Sequence, residues 1–261
     1  MRGLVIVVGV APMLMTRRFR CSAYVGQTLV LLLFCTGEVG AQTLDQIINE
    51  SLDAAGGRDA IEAVTSLRRT GMFTMSTPFG DIEGDTEVVI IPNRKIYQDF
   101  DSDFFQQTSA WNGITAWRVD NTQGLVELEG EPAVGLIAQT GLHPFLAYDR
   151  PQLLPVTFEL LEDADVEGQL HHVVTASVEG VTFTVFVDAE TKLVFRVQSN
   201  TELPQLGPVT ITADSVDYTE QGGVMWPTRS LLDIPGLVTI DSRFSSTELN
   251  VDVDQSIFEK P

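Results

Sequence analysis

Leu170-His171-His172-Val173-Val174-Thr175-Ala176-Ser177-Val178-Glu179-Gly180-Val181-Thr182-Phe183-Thr184-Val185-Phe186-Val187 reads as two strands and the turn that joins them. Valine and threonine dominate both halves, and Glu179-Gly180 separates them, which is the composition of a β-hairpin. The turn Asp188–Thr191 then leads into a third run, Lys192–Ser199. Strands joined only by turns pair antiparallel, because a parallel pair needs a crossover of a dozen or more residues. By alternation Phe183, Val185 and Val187 share one face, as do Leu193, Phe195 and Val197.

The same rhythm extends both ways. Downstream lie Val209–Tyr218, Val224–Leu232 and Leu237–Thr247, punctuated by Gly222-Gly223 and Pro235-Gly236. Upstream lie Val156–Leu161 and, earlier, Met72–Thr77, Glu87–Ile91, Lys95–Asp101, Phe104–Trp111 and Ile114–Val119. Pro92-Asn93, Asn112-Gly113 and Asn121–Gly124 supply turns. About eleven strands without a βαβ rhythm predict a mainly β (α+β) fold built on one large antiparallel sheet. A sheet that long curls or closes.

Two segments break the pattern. Thr43-Leu44-Asp45-Gln46 matches a capping box, and Leu44, Ile47, Ile48, Leu52 and Ala55 follow on one helical face. Gly56-Gly57 ends or kinks that helix, and Ala60, Ile61 and Val64 continue a shorter apolar face. Glu131–Tyr148 carries Val134, Leu136, Ile137, Leu142, Phe145 and Leu146 with little alternation, and reads as one or two short helices interrupted near Gly141 and Pro144. These helices are expected to cover one face of the sheet, leaving an apolar space of the kind ligands occupy.

Residues 1–41 read as an address. Two apolar runs, Gly3–Met15 and Ala23–Cys35, flank Arg17, Arg18 and Arg20, and Val39-Gly40-Ala41 fits a cleavage site. Neither run reaches the roughly 20 residues of a membrane span. The first run is surplus to a signal peptide, so Met13 or Met15 is the expected start. Leu32-Leu33-Phe34-Cys35 sketches a lipobox that would anchor a lipidated form at Cys35, but bulky Phe34 spoils it. The expectation is export to the periplasm as a single domain over residues 42–261. Cleavage removes both cysteines, Cys21 and Cys35, so the mature fold rests on its core alone.

The chain has 16 basic and 36 acidic residues; losing four arginines and one glutamate leaves 12 and 35, a net of −23. That field repels nucleic acid and anionic lipid. Its plain consequence is solubility. There is no G-x-S-x-G, H-E-x-x-H, P-loop, G-x-G-x-x-G or C-x-x-C, so no catalytic residue and no cofactor is assigned and the protein is read as a non-enzyme. His171 and His172 are adjacent on a strand and point to opposite faces, a poor arrangement for one metal. His143, before Pro144, reads as a helix-break residue. Asp163-Ala164-Asp165-Val166-Glu167-Gly168 imitates a calcium loop, but its twelfth position is Val174 where a bidentate glutamate is needed. Asp99, Asp101 and Asp103 repeat the spacing without the glycine. Both are read as solvated hairpin tips, and no metal is assigned. The aromatic residues Phe73, Trp111, Trp117, Phe183, Phe195 and Trp226 form the candidate hydrophobic-ligand set; the competing reading for each is plain core packing.

The chain also resembles a known family. Ala55-Gly56-Gly57-Arg58-Asp59-Ala60-Ile61-Glu62-Ala63-Val64-Thr65-Ser66-Leu67 through Gly71 is similar to the start of outer-membrane lipoprotein-sorting-like proteins of the Lol carrier superfamily. Pro92-Asn93-Arg94, Trp111-Asn112-Gly113 through Ala116-Trp117, and Val187-Asp188-Ala189-Glu190-Thr191-Lys192-Leu193 continue the likeness, with Lys192 where relatives usually have glycine. Asp217-Tyr218 through Gly223-Val224-Met225-Trp226-Pro227 and the tail Leu249-Asn250 through Phe258-Glu259-Lys260-Pro261 complete it. The resemblance implies a curved, unclosed half-barrel with helices over its concave side, sheltering acyl chains of lipids or lipoproteins. A monomeric periplasmic carrier of a hydrophobic ligand is the leading expectation. A cell-envelope protein-interaction module with a filled core is the alternative.

Overall fold

The helix that opens the fold starts where its cap does. In the computed structural model, which describes residues 42–148, 155–203 and 206–261, helix α1 (Leu44–Ala54) is closed by the capping box read in the sequence. The Gln46 amide donates to Thr43 Oγ1 at 3.3 Å, and the Thr43 amide donates back to Gln46 Oε1 at 2.9 Å. Ile47, Ile48 and Leu52 are buried on its apolar face. Gly56 stops it at φ +115°, a region that suits glycine alone. A short helix α2 (Arg58–Glu62) follows and buries Ile61. The two apolar runs, Cys35 and the cleavage site lie outside the described residues.

Fourteen strands form one antiparallel sheet among the described residues. They are β1 (Leu67–Thr77), β2 (Gly80–Ile91), β3 (Lys95–Asp101), β4 (Gln106–Trp111), β5 (Ala116–Asp120), β6 (Gly124–Leu128), β7 (Thr157–Leu160), β8 (Ala164–Val166), β9 (Gln169–Val178), β10 (Val181–Asp188), β11 (Val194–Leu203), β12 (Gly207–Gln221), β13 (Val224–Ile234) and β14 (Val238–Leu249). The order runs β6-β5-β4-β3-β2-β1-β14-β13-β12-β11-β10-β9-β7, with β8 also on β9. Neighbours are consecutive in the chain except where β1 meets β14, which joins the two meanders, and where β7 skips β8 to pair with β9. The path ends on β6 and β7, so the sheet is not closed into a barrel.

Three segments read as turns, or not read as strands, prove to be strands. The outward Asp81, Glu83 and Asp85 hide β2 before Glu87, while Ile82 and Thr86 alternate inward. Strand β6 is almost wholly exposed and so lacks an apolar signal. Strand β8 is the first half of the acidic segment at Asp163–Gly168, with Glu167 and Gly168 as its two-residue turn, both at positive φ.

Register defines the two faces. Leu67, Ile90, Ile96, Trp111 and Ala116 stand opposite one another across β1–β5. This row joins α1 and α2 in the main core, together with Val174, Val185, Val187, Val194, Val224 and Trp226. It is therefore the inner, concave face. Helix α3 (Glu131–Ala138) and the turn after it add Leu136, Phe145 and Leu146 to the same core. Further along the inner face of β1, a second cluster gathers Phe73, Met75 and Ile240.

Candidate functional site

The six aromatics divide between two faces and three environments. Trp226 is buried in the main core, and its indole donates to Gln221 O at 3.2 Å. Trp111 is half-buried against that core on the same face. Phe183 is half-buried, in register with Ser199 and Ala176 and two residues from buried Val185. These three lie along the helix-covered face.

Phe73 is on the inner face too, but in the second cluster. It is 1% exposed and meets Phe100 edge-on, with ring centroids 5.2 Å apart. It lies over Gly84, where a Cβ would come within 2.8 Å of its ring. No side chain larger than hydrogen fits beneath it.

Trp117 and Phe195 are on the outer face. Trp117 follows Ala116 and is in register with Ala110, which faces away from the helices. Its indole donates to Phe258 O at 3.0 Å, so the C-terminal turn Gln255–Phe258 packs on the outside of the sheet. Phe195 stacks at 4.9 Å on His171. His171 is paired with Asp188, whereas His172 is paired with inward Val187. The expected sharing of a face by Leu193, Phe195 and Val197 fails at a β-bulge. Val187 pairs with Val194 but Phe186 pairs with Arg196, and the extra residue, Phe195, is turned out. The structure thus brings Trp111, Phe183 and Trp226 to one face and does not bring the six into one hollow.

The inner face also holds a charge that the aromatic pattern of the sequence does not reveal. Arg69 follows Leu67 by two residues on β1. Its guanidinium stacks 3.7 Å over the Phe244 ring and donates to the Pro227 carbonyl. Its Nε is buried and unpaired among the described residues. Burial holds it below its ordinary value, at about 10, with the nearby Tyr218 phenol drawing it back up. Burial likewise pushes Tyr218 up to about 12 while its hydroxyl donates to Val194 O at 2.6 Å. Arg68, Arg118, Arg196 and Arg229 each pair with a carboxylate. Among the described residues Arg69 has no carboxylate partner, so the inner face carries a desolvated guanidinium between its two apolar clusters. Only the β1 register shows that an arginine at this alternation faces inward.

The helical cover packs closely on the residues beneath it. Val134, Leu136, Phe145 and Leu146 are buried. A pocket of about 20 Å³ remains between α3 and Val178-Glu179, lined by Val134, Ile137 and Ala138. That is room for about one water. Polar links fasten the cover along its length: Gln98 donates to Gln139 at 2.7 Å, Thr201 to Glu131 at 2.8 Å, the Asn93 amide to Thr140 O at 3.0 Å, the Arg58 guanidinium to Leu146 O at 2.9 Å, and the Tyr148 hydroxyl to Asp45.

The other sequence candidates have structural roles. Asp165 caps the β8–β9 turn by accepting from the Gly168 amide, and Val174 is fully buried. His172 Nδ1 lies 3.0 Å from Asp163, and His171 Nδ1 lies 2.9 Å from Gln169 O. Asp99 accepts from Thr108 at 2.6 Å. Among the described residues no group of three or more His, Cys, Asp or Glu is placed to hold a metal ion. No helix among them is long and apolar enough to cross a membrane.

No protein-family model and no curated protein matches the sequence. Solved structures do. A LolA superfamily protein from Nitrosomonas europaea superposes with a TM-score of 0.55 at 14% identity, covering 80% of this chain and 96% of that one. A domain described as outer membrane lipoprotein-sorting, from Vibrio parahaemolyticus, gives 0.53 at 11%, covering 81% and 97%. A DUF1329 family protein from Desulfovibrio piger gives the same values. At this identity the likeness establishes the fold: the chain is built as the LolA-superfamily half-barrel is.

Proposed function

We propose that the protein is an exported, non-enzymatic carrier of a hydrophobic ligand, an acyl chain of a lipid or lipoprotein, acting in the periplasm as a monomer. One observation carries this reading. A separate helical segment, not a strand of the sheet, buries four apolar side chains against the inner face of an unclosed sheet. Each is worth about 1.5–3 kcal/mol when buried, so the set is worth roughly 8 kcal/mol. A sixteen-carbon chain gains on the order of 10 kcal/mol at about 0.8 kcal/mol per methylene. The two are close, so an acyl chain can replace the α3 segment at little net cost and leave again. Trp111, Phe183 and Trp226 would then line the ligand. Arg69 would meet a negative headgroup.

The test is extraction of the purified mature domain for lipid mass spectrometry, with titration of a fluorescent fatty acid in parallel. Co-purified acyl lipid, or micromolar probe binding, is expected. A lipid-free protein that binds no probe refutes the carrier. The small volume left under α3 favours a second reading, an envelope protein-interaction module with a permanently filled core. It requires a stoichiometric envelope partner and no lipid.

A further inference from the structure

We propose that one end of the sheet docks on a zwitterionic lipid surface through a row of apolar hairpin tips. The β3–β4, β1–β2 and β13–β14 hairpins are consecutive in the sheet and turn at the same end. Each presents a large apolar residue to solvent: Phe104 is 79% exposed, Phe79 101% and Leu237 49%. Leu206 extends the row at the next hairpin. At the opposite end Ile114 is exposed on the β4–β5 turn and Leu170 beside the β8–β9 turn.

These tips are held out by built turns. Ser102 Oγ accepts from the amides of Phe104 and Phe105, and Ser102 N donates to Phe105 O. The result separates two adjacent phenylalanines: Phe105 packs inward on the second cluster, and Phe104 points out. Thr77 Oγ1 accepts from the Phe79 amide and donates to Gly80 O. The Leu237 amide donates to Ile234 O across Pro235-Gly236. A fully exposed phenylalanine on a fixed turn has no folding role, and several at one rim mark an interaction site.

Geometry and charge choose the occupant. Strands are about 4.8 Å apart, so consecutive hairpin tips are roughly 10 Å apart across the sheet, and the register adds a stagger along the strands, since Asp101 at the end of β3 stands opposite Asp85 rather than Gly80. A protein partner would need a separate pocket for each tip, whereas a bilayer interface admits all of them. The flanking residues are acidic: Asp81, Asp101, Asp103 and Asp233. Residues 76–86, 98–110 and 230–240 contain no lysine or arginine. Such a rim is repelled by anionic lipid and tolerates headgroups whose outermost charge is a cation. The second apolar cluster lies directly behind the tips on the inner face. This docking goes beyond the carrier reading and does not depend on it.

The experiment is flotation of the full domain with phosphatidylcholine vesicles, with and without phosphatidylglycerol, for wild type, Phe79→Ser with Phe104→Ser, and Ile114→Ser. All three positions are exposed, so folding is preserved, and circular dichroism checks it. Wild type and Ile114→Ser should float with neutral vesicles, and phosphatidylglycerol should weaken them. Each phenylalanine is worth roughly tenfold, so the double variant should lose about 100-fold in partitioning. Absence of wild-type flotation, unchanged flotation of the double variant, or tighter binding to anionic vesicles overturns the proposal. So does capture of a protein partner or a second copy through the same tips without vesicle binding. Fatty-acid titration in lipid-free solution reports on the carrier separately, and the double variant should retain it.

Discussion

Phe73→Ala is the sharpest probe of what the inner face is made of. The side chain is 1% exposed, contacts Phe100 and Phe105 edge-on, and rests on Gly84. A packed core phenylalanine costs about 3–5 kcal/mol on truncation, and edge-on aromatic pairs add about 0.5–1.5 kcal/mol. A loss of about 4 kcal/mol is expected. At about 2–4 °C per kcal/mol for a domain of this size, Tm should fall by roughly 8–16 °C. Phe183, half-buried beside the helical cover, should lose about 2 kcal/mol or less when truncated, because part of its surface lacks packed neighbours. Urea unfolding of wild type, Phe73→Ala and Phe183→Ala measures both, with the denaturant slope checking that the unfolded state is unchanged. A cost below about 1.5 kcal/mol at Phe73, or a larger cost at Phe183, would refute the assignment. It would mean that the hollow lies in the second cluster.

Gly56→Ala should destabilise by more than about 2 kcal/mol by thermal melting, since its Cβ would meet Gly223 O at 2.0 Å and its φ is +115°. His143 is held down to about 4 by desolvation and then by the Arg58 charge. The unfolded histidine titrates near 6.5, so protonation favours unfolding: stability is full above that value and declines as pH falls from about 6.5 towards 4. The ring keeps some solvent contact, so about 1–2 kcal/mol is expected rather than the full 3, and His143→Gln should flatten that limb of a Tm-versus-pH profile. Calcium and chelators should leave Tm unchanged within error, because Val174 is core and Asp165 is spent on its own turn; a rise of several degrees would contradict that reading.

Much of the architecture was legible because it is local. The capping box at Thr43–Gln46, the break at Gly56-Gly57 and the meander of hairpins are written in short stretches of chain and form where their residues place them; the interruption expected near Gly141 and Pro144 begins slightly earlier, with the helix ending at Ala138 and a tight turn over Gln139–Gly141. The missed strands fail for one reason. In β2 before Glu87 and in β6, the outward positions are acidic or the whole strand is solvated, so the apolar half of the alternation is too thin to register. Neighbouring strands supply the missing hydrogen bonds and override that weak local preference.

The site was less legible because alternation tells which residues share a face but not which face is covered. Trp111 and Trp117 look alike in sequence, yet they are separated by a hairpin that sends one against the helical cover and the other against the C-terminal turn. A single inserted residue has the same power: the bulge between Val194 and Arg196 turns Phe195 onto His171 while Val197 stays in the core. Arg69 is the converse case. In a chain with 36 acidic residues, every arginine invites the assumption of a carboxylate partner. Whether that partner exists is decided across β1, β14 and β13, where Phe244 and Pro227 meet the guanidinium instead. A desolvated guanidinium without a carboxylate partner among the described residues is costly, so a fold that keeps one on its helix-covered side has a place where an anion would lower that cost.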